Sequence, residues 1–234
     1  GLGLSLMRLL SRSEFQAVLA HEFGHYHGGD TRLGPWIYKT RAAIGRTLQS
    51  LGDGSILQLP FLWYGKMFLR ITHAVSRCQE FQADALAART VGARPLITGL
   101  QTVHGAGPAF QHYWIGECAP LLQAGFQPPL AEGFYQFVQS STIAGIIRQA
   151  IEEEMRSGKA DPYDTHPPLK ERVAAVMELP PASRALDDTP AIALLENLPG
   201  LEAGLLAAMA GPEHAARLAP VSWAEVCEKV YLPQ

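Results

Sequence analysis

The sequence has few cysteines, and no two of them have metal-binding spacing. Cys78, Cys118 and Cys227 are the three among 234 residues. This odd, widely separated set excludes a disulfide framework and a Cys-x-x-Cys zinc knuckle, so we expect reduced thiols and a cytoplasmic compartment. An excess of positive charge is also lacking. A formal net charge of −3 and a pI near 6.3 exclude the usual electrostatic basis for a nucleic-acid partner.

Long uncharged apolar runs are absent as well. No window of about 18 residues is free of charge or strong polarity, so no transmembrane helix is predicted in this sequence. The nearest approach, residues 55–71, carries Lys66 and Arg70 among aromatic residues. It fits a membrane-surface helix or, as we favour, a core helix whose basic side chains reach water. The chain starts at Gly1 without a signal-peptide pattern, so we expect a piece of a longer protein.

The rest of the composition predicts a mainly α-helical fold with at most a small β-sheet. Hydrophobic residues make up 47% of the chain, which is enough to bury a sizeable core. We predict four long helices, over residues 11–27, 36–51, 60–91 and 130–156. Ser11 and Glu14 form a capping box at the start of the first helix, and Gly28 and Gly29 should end it.

Two segments are predicted to be irregular or extended. Residues 104–133 are rich in glycine, proline and aromatic residues, so we expect loops and short helices there. The opening residues 1–10 alternate weakly in polarity, which favours a strand or a turn. A Pro-Pro break after Leu179 divides the chain into a main domain, residues 1–178, and a helical extension, residues 179–234.

His21, Glu22 and His25 form a His-Glu-x-x-His motif in the first long helix. Because a helix turns about 100° per residue, residues four apart share a face and both imidazoles can bind one metal ion. A chain of this composition should contain the motif by chance only about 0.02 times. Apolar neighbours such as Phe15 and Phe23 predict a buried helix, where each unpaired polar group costs about 1–3 kcal/mol. This favours a metal site over a structural hydrogen-bonded cluster.

A zinc ion held by two histidines needs a third protein ligand, and Glu80 is the best candidate. Asp84 lies one helical turn later on the same face, where it can accept a hydrogen bond from the far nitrogen of a ligand histidine. Spacing alone leaves an alternative open, in which both carboxylates lie on an exposed helix face and pair with Arg77 and Arg89.

Three motifs resemble those of the M48 (Ste24/HtpX-like) family of zinc metallopeptidases and occur in the family's order: HEFGH at 21–25, SRCQEFQADALAA at 76–88 and THPPLKERV at 165–173. The resemblance implies a gluzincin fold in which His21, His25 and Glu80 bind one zinc ion per chain. It implies that Glu22 is the catalytic carboxylate. Residues 1–178 would then be the catalytic domain.

The resemblance also suggests a role for His166. Family members carry a histidine at this position near the active site, where it can stabilise the transition state or occupy the open coordination position of the metal. The residues alone have another interpretation, since Thr165 and His166 before two prolines and an apolar helix are typical of a helix start.

The family also implies a cellular context. Its members are typically bound to a membrane through helices outside the catalytic core, so the resemblance implies a membrane-associated full-length protein with its active site on the cytoplasmic side. The expected substrates are polypeptides, either membrane-associated or misfolded.

The expected reaction is hydrolysis of a peptide bond by metal-activated water, with Glu22 as general base and His166 as oxyanion donor. A non-catalytic, chaperone-like zinc module is the main alternative, although a purely structural zinc needs no base such as Glu22. A self-inhibited enzyme, in which His166 closes a four-ligand site, is an intermediate case. A metalloesterase that uses the same chemistry also stays open.

Overall fold

The computed structural model describes residues 3–27, 30–51, 57–159, 161, 164–180 and 185–232. The fold is mainly α-helical, which confirms the predicted class. The helices are α1 (Leu4–Leu9), α2 (Arg12–His27), α3 (Asp30–Ser50), α4 (Gln58–Thr90), α5 (Ala93–Tyr113), α6 (Ala119–Gln123), α7 (Leu130–Gln139), α8 (Ser141–Ser157), α9 (Leu169–Met177), α10 (Leu198–Ala210) and α11 (Pro212–Ala215). π-Helical turns cover Trp114–Cys118 and Cys227–Tyr231, and a 3₁₀ turn covers Ala191–Leu194.

The sheet is as small as predicted. Strands β1 (Phe126–Gln127) and β2 (Ala219–Pro220) pair in parallel, with Phe126 opposite Ala219. Within the described part of the chain, no helix has the length and apolar character needed to cross a bilayer.

Backbone contacts divide the chain into two compact units. One contains the described residues of 1–15, 98–153 and 185–234, and the other contains those of 16–97 and 154–184. Residues 185–232 of the predicted C-terminal extension therefore belong to the same unit as residues 98–153. The boundary between residues 178 and 179 stays a prediction about domain organisation.

The start of α2 confirms the predicted capping box. The Ser11 amide donates to Glu14 Oε2 at 2.8 Å, and the Glu14 amide donates to Ser11 Oγ at 3.2 Å. These bonds satisfy two amides that a helix start leaves without partners. Gly28 and Gly29, which should end the helix, lie outside the described residues.

The expectations for the irregular segments were partly wrong. Residues 4–9 form α1, whose Met7 is buried, instead of a strand or turn. The helix α5 continues to Tyr113 with Pro108 inside it, so the loops and short helices expected over residues 104–133 start only after residue 113. The helix expected over 130–156 is two helices, because Ser140 adopts extended backbone angles between α7 and α8. Local glycine and proline content did not reveal the tertiary packing that keeps such segments helical.

The first unit has an aromatic core around Tyr113. Its ring packs against Phe134 and Trp223, and its hydroxyl donates to the Leu130 carbonyl at 3.0 Å. The buried Glu202 of α10 accepts a 2.8 Å hydrogen bond from the Ala131 amide in the first turn of α7. A carboxylate at a helix start is favourable because it faces the positive end of the helix dipole.

The long helix α4 dominates the second unit, and its first half contradicts the favoured core-helix interpretation. Among residues 57–71, only Gly65 and Phe68 are buried, whereas large apolar side chains such as Trp63 are exposed. An apolar sequence shows that a segment can be buried but not which element covers it. The second half of α4 is better covered and carries Glu80 and Asp84.

Candidate metal centre

The helix α2 presents two imidazoles on one side. His21 is buried and His25 is half-buried, and their Nε2 atoms lie 3.3 Å apart. The four-residue spacing produces this pairing, as expected from the helical repeat. The prediction that α2 is covered on nearly all sides was wrong, because Phe23 is 65% exposed.

The helix α4 brings Glu80 to the same point. Its Oε2 lies 3.5 Å from Nε2 of His21, and its Oε1 lies 3.6 Å from Nε2 of His25. All three ligand atoms lie within 4.8 Å of one another. This is the one group of three or more metal-ligating side chains found among the described residues.

The donor spacing fits a zinc ion. Zinc binds nitrogen and oxygen donors at about 2.0–2.2 Å in tetrahedral geometry, so two donors should lie about 3.4 Å apart. The 3.3, 3.5 and 3.6 Å separations at this site match that value. Glu80 Oε2 is also buried and forms no hydrogen bond with any described residue. A buried carboxylate oxygen that accepts no hydrogen bond fits a metal ligand.

Close packing of α2 on α4 makes this convergence possible. A Cβ atom at Gly24 would lie 2.7 Å from Cα and 2.9 Å from Cβ of Ala83, far inside van der Waals contact. Only glycine therefore allows the two backbones to approach this closely. In the sequence, Gly24 lies between His21 and His25, and Ala83 lies between Glu80 and Asp84. The contact between Gly24 and Ala83 is therefore next to all four of these polar side chains.

Asp84 contacts the Nδ1 side of the His21 ring. Its Oδ1 is 2.9 Å from Nδ1 of His21, and the side chain is fully buried. A proton on Nδ1 leaves the Nε2 lone pair directed at the metal position. The alternative of an exposed carboxylate face does not hold, because Glu80 and Asp84 are both buried and Arg77 instead donates to the carbonyl oxygens of Asp161 and Asp164.

Arg172 is a buried member of the site that the sequence analysis missed. It lies on α9, donates two hydrogen bonds to Asp84, and places Nη1 3.4 Å from Glu80 Oε2. A signal was available, since Arg172 follows Leu169 by three residues and directly precedes Val173, on the apolar face of α9. A cation on such a face requires a buried anionic partner.

The ion pair between Asp84 and Arg172 determines the charge of both side chains. Burial alone would raise the pKa of Asp84, but hydrogen bonds from Arg172 and His21 outweigh it and lower the pKa below its ordinary value. Burial also disfavours the charged form of Arg172, which would lower its pKa. The interactions with Asp84, Glu80 and Glu22 outweigh this effect and raise the pKa. Asp84 therefore stays an anion and Arg172 a cation.

Glu22 is placed differently from its neighbours. Its side chain is exposed, whereas His21 is buried and His25 is half-buried. Its charge nevertheless contributes to the raised pKa of Arg172, so it lies near the cluster. An accessible carboxylate beside two imidazoles can accept a proton from a water molecule.

His166 also reaches the site. Its Nδ1 lies 3.0 Å from Glu80 Oε1, although the side chain is 61% exposed. Its amide donates to Asp164 Oδ1 at 3.0 Å, and Arg77 donates to the Asp164 carbonyl at 2.9 Å. His166 does not belong to the group of atoms within 4.8 Å of one another. The loop therefore places it at the edge of the cluster.

Several known proteins have sequences similar to this chain. A sequence model described as peptidase family M48 matches residues 2–179. Protease HtpX of Pasteurella multocida (strain Pm70) is 26% identical over 190 residues, which cover 74% of this chain and 56% of the relative. A protease HtpX homolog of Chlorobium phaeobacteroides (strain BS1) is 27% identical over 200 residues, which cover 76% and 55%.

A shorter match is somewhat more similar. A protease HtpX homolog of Neisseria meningitidis (strain 053442) is 31% identical over 116 residues, which cover 43% of this chain and 42% of the relative. The chain spans about half the length of the first curated relatives. No solved structure matches it significantly.

Proposed function

Because the chain belongs to peptidase family M48, we propose that it is the catalytic part of a zinc-dependent endopeptidase. In this proposal His21, His25 and Glu80 bind one zinc ion, and Glu22 is the general base. The observation that carries the proposal is the convergence of three ligand side chains from two helices, with shortest pairwise separations of 3.3–3.6 Å between their nitrogen and oxygen atoms.

Zinc, when bound, acts as a Lewis acid and lowers the pKa of a bound water to about 7. Glu22 accepts the proton from the attacking water and passes it to the leaving amine. His166 donates a hydrogen bond to the carbonyl oxygen as negative charge develops there, and a donor of this kind increases the rate by about 10²–10³-fold.

Asp84 and Arg172 support these groups without touching the substrate. Asp84 keeps the proton of His21 on Nδ1, which reserves Nε2 for the metal. Arg172 pairs with Asp84, which stays ionised at its buried position, and also contacts Glu80. Glu80 would therefore bind zinc next to the guanidinium of Arg172.

Polypeptides are the proposed substrates, in particular membrane-associated or misfolded proteins. The relatives are named only as proteases, so this substrate range is an extension from the family. We also propose that the full-length protein is membrane-associated through segments outside this sequence and that the active site faces the cytoplasm.

A self-inhibited state is a second candidate that one contact favours. His166 Nδ1 lies 3.0 Å from Oε1 of Glu80, so His166 is close enough to the three proposed ligands that it could act as a fourth ligand to zinc. The chaperone-like module has less support, because the exposed carboxylate of Glu22 has no purpose in a closed structural zinc site.

The test compares the wild type with Glu22→Gln by measuring zinc content and cleavage of peptide and ester libraries. We expect about one zinc per chain in both proteins and a loss of hydrolysis of about 10²–10⁴-fold in the variant. Glu171→Gln, an exposed position on α9, is the matched control and should change neither quantity.

Three results would contradict the proposal. Cleavage at the wild-type rate by zinc-loaded Glu22→Gln would remove Glu22 as the base. Full activity after complete chelation of zinc would show that the reaction does not depend on the metal. Hydrolysis of esters without hydrolysis of any peptide would identify an esterase instead.

A further inference from the structure

The first unit contains a cavity of about 520 Å³ beside its aromatic core. Helices α1, α5, α7 and α10 form its walls, together with Trp114 of the first π-helical turn. Tyr113, Leu130 and Phe134 line the cavity and are themselves buried, so they form its base. Ligand pockets in proteins typically measure about 300–1,000 Å³. The cavity is therefore large enough for a small organic molecule.

The lining of this cavity is almost wholly apolar. Among the described residues that line it, none is charged, and a polar side-chain atom is present only in Ser5, Tyr113 and Trp114. The Tyr113 hydroxyl already donates to the Leu130 carbonyl at 3.0 Å, so it is not available as a donor to a ligand. A charged group that entered the cavity would lose its hydration and gain no ion-pair partner. The lining therefore selects an uncharged and apolar ligand.

A polypeptide segment is disfavoured as the ligand for the same reason. Each peptide unit carries a hydrogen-bond donor and an acceptor, and both need partners when they are buried. The side chains of Ser5 and Trp114 could pair with only a few such groups. A hydrocarbon chain brings no polar atom into the cavity. It gains free energy from burial alone, as do the ligands of other dry apolar cavities.

Exposed apolar side chains border the cavity. Phe110 of α5 and Leu201 and Leu205 of α10 line it and are 39%, 45% and 43% exposed, respectively. The two leucines are four residues apart and therefore lie on one side of α10. The ring of Phe110 packs edge-on against Phe134, with centroids 5.2 Å apart, so this rim is continuous with the buried base. A ligand that covers the rim would remove apolar surface from water.

We propose that this cavity binds the aliphatic chain of a free single-chain lipid, that is, of a fatty acid or a fatty alcohol. The methylene groups contact Tyr113 and Phe134, and the polar end stays in water near Leu201 and Leu205. Because the cavity contributes burial and few hydrogen bonds, the affinity depends on chain length and little on the headgroup. Each methylene group changes the affinity about fourfold. The proposal does not rest on the peptidase activity, because none of the lining residues belongs to the candidate metal centre.

Displacement of a fluorescent fatty acid, dansylaminoundecanoic acid, from the full chain tests the proposal and requires neither zinc nor activity. We expect the probe to bind, and we expect dodecanol and dodecanoate to displace it with similar affinities, because the headgroup stays outside the apolar cavity. Octanol is four methylene groups shorter than dodecanol and should bind about 200-fold more weakly.

Variants on α10 locate the site. Leu201→Ser with Leu205→Ser removes the apolar rim and should weaken the binding of dodecanol about tenfold. Met209→Ser, on the same helix but outside the lining, removes an exposed apolar side chain and should change nothing. Leu205→Lys should strengthen the binding of dodecanoate relative to dodecanol, because it places a cation beside the carboxylate. Circular dichroism of each variant checks that the fold is kept.

Several outcomes would overturn the proposal. Equal affinities for octanol and dodecanol would show that the chain is not buried, and an equal loss in Met209→Ser would show non-specific adsorption. No preference for dodecanoate in Leu205→Lys would contradict a headgroup at the rim. A folded monomer that binds no probe would reject the lipid site. A dimer that binds no probe and that the double serine variant dissociates would identify the rim as a subunit interface instead.

Discussion

Arg172 donates two hydrogen bonds of 2.7 Å to Asp84, from Nε to Oδ2 and from Nη2 to Oδ1. The same Oδ1 lies 2.9 Å from Nδ1 of His21. A continuous series of polar contacts therefore links α9, α4 and α2 within one compact unit. The bidentate geometry makes this the strongest kind of side-chain pair, and its burial makes either partner costly to remove.

Replacing Arg172 by methionine should strongly destabilise the metal-free protein. The guanidinium is the buried cation that balances Asp84 and Glu80, and the loss of one partner of a buried pair costs about 3–5 kcal/mol. Urea unfolding measures the effect, and Lys170→Met on the same helix serves as an exposed control that should change stability by less than about 0.5 kcal/mol. If Arg172→Met were as stable as the wild type, the buried ion pair would not be needed for the stability of the fold.

Asp84→Asn should weaken zinc binding more than it changes the fold. The amide keeps the shape of the side chain, but it removes the negative charge that orients the Nδ1 proton of His21. Loss of such a partner typically lowers metal affinity by about 10–100-fold. Competition with a chelator measures this affinity. Asp188→Asn, an exposed position in the C-terminal segment, is the control. Unchanged zinc affinity in Asp84→Asn would argue that His21 needs no partner.

Gly24→Ala should separate α2 from α4 and impair metal binding. The new Cβ would meet backbone and side-chain atoms of Ala83 at 2.7–2.9 Å, and overpacking of this kind costs about 1–3 kcal/mol. Gly145→Ala in α8, where a Cβ has open space, should instead stabilise the protein by about 1 kcal/mol. Thermal unfolding of Gly24→Ala and Gly145→Ala, with and without zinc, measures the stability of each variant and its stabilisation by the metal. A Gly24→Ala protein with normal stability and zinc affinity would contradict the tight packing.

The three thiols should differ in their reactivity. Burial, with help from the nearby Glu202 carboxylate, raises the pKa of Cys118 to about 12. Cys118 therefore stays protonated and unreactive at pH 8, whereas Cys78 and Cys227 are exposed and should react with iodoacetamide. Mass spectrometry should find two modified cysteines in the folded protein and three after unfolding. Labelling of Cys118 under native conditions would show that this part of the core opens.

At the candidate metal centre, part of the arrangement could be predicted from the sequence and part could not. His21 and His25 could be paired from their spacing, because both lie on one helix and the helical repeat decides their direction. Glu80 and Asp84 were named by motif, but their distance from the histidines depends on how α2 packs on α4. Arg172 was missed because its partner lies 88 positions away in the sequence.

Interpretation by composition failed where burial depends on neighbours. The apolar segment of α4 was assigned to the core, yet Trp63 and Leu59 are exposed. Loops and short helices were expected from residue 104, yet the long helix α5 continues through Pro108. In both cases the local sequence is compatible with two environments, and tertiary contacts choose between them.

By itself, the sequence determined the mainly helical class, the capping box of α2, the pairing of two histidines on one helix face and the family of the chain. These features depend on residue type and on separations of a few positions, which the geometry of a helix converts directly into space. Only the tertiary structure decided that Glu80 lies beside the two histidines, that Arg172 pairs with Asp84, and that apolar side chains in the first half of α4, such as Trp63, are exposed among the described residues. Each of these depends on which helices pack together, and segments far apart in the chain carry no local record of that choice.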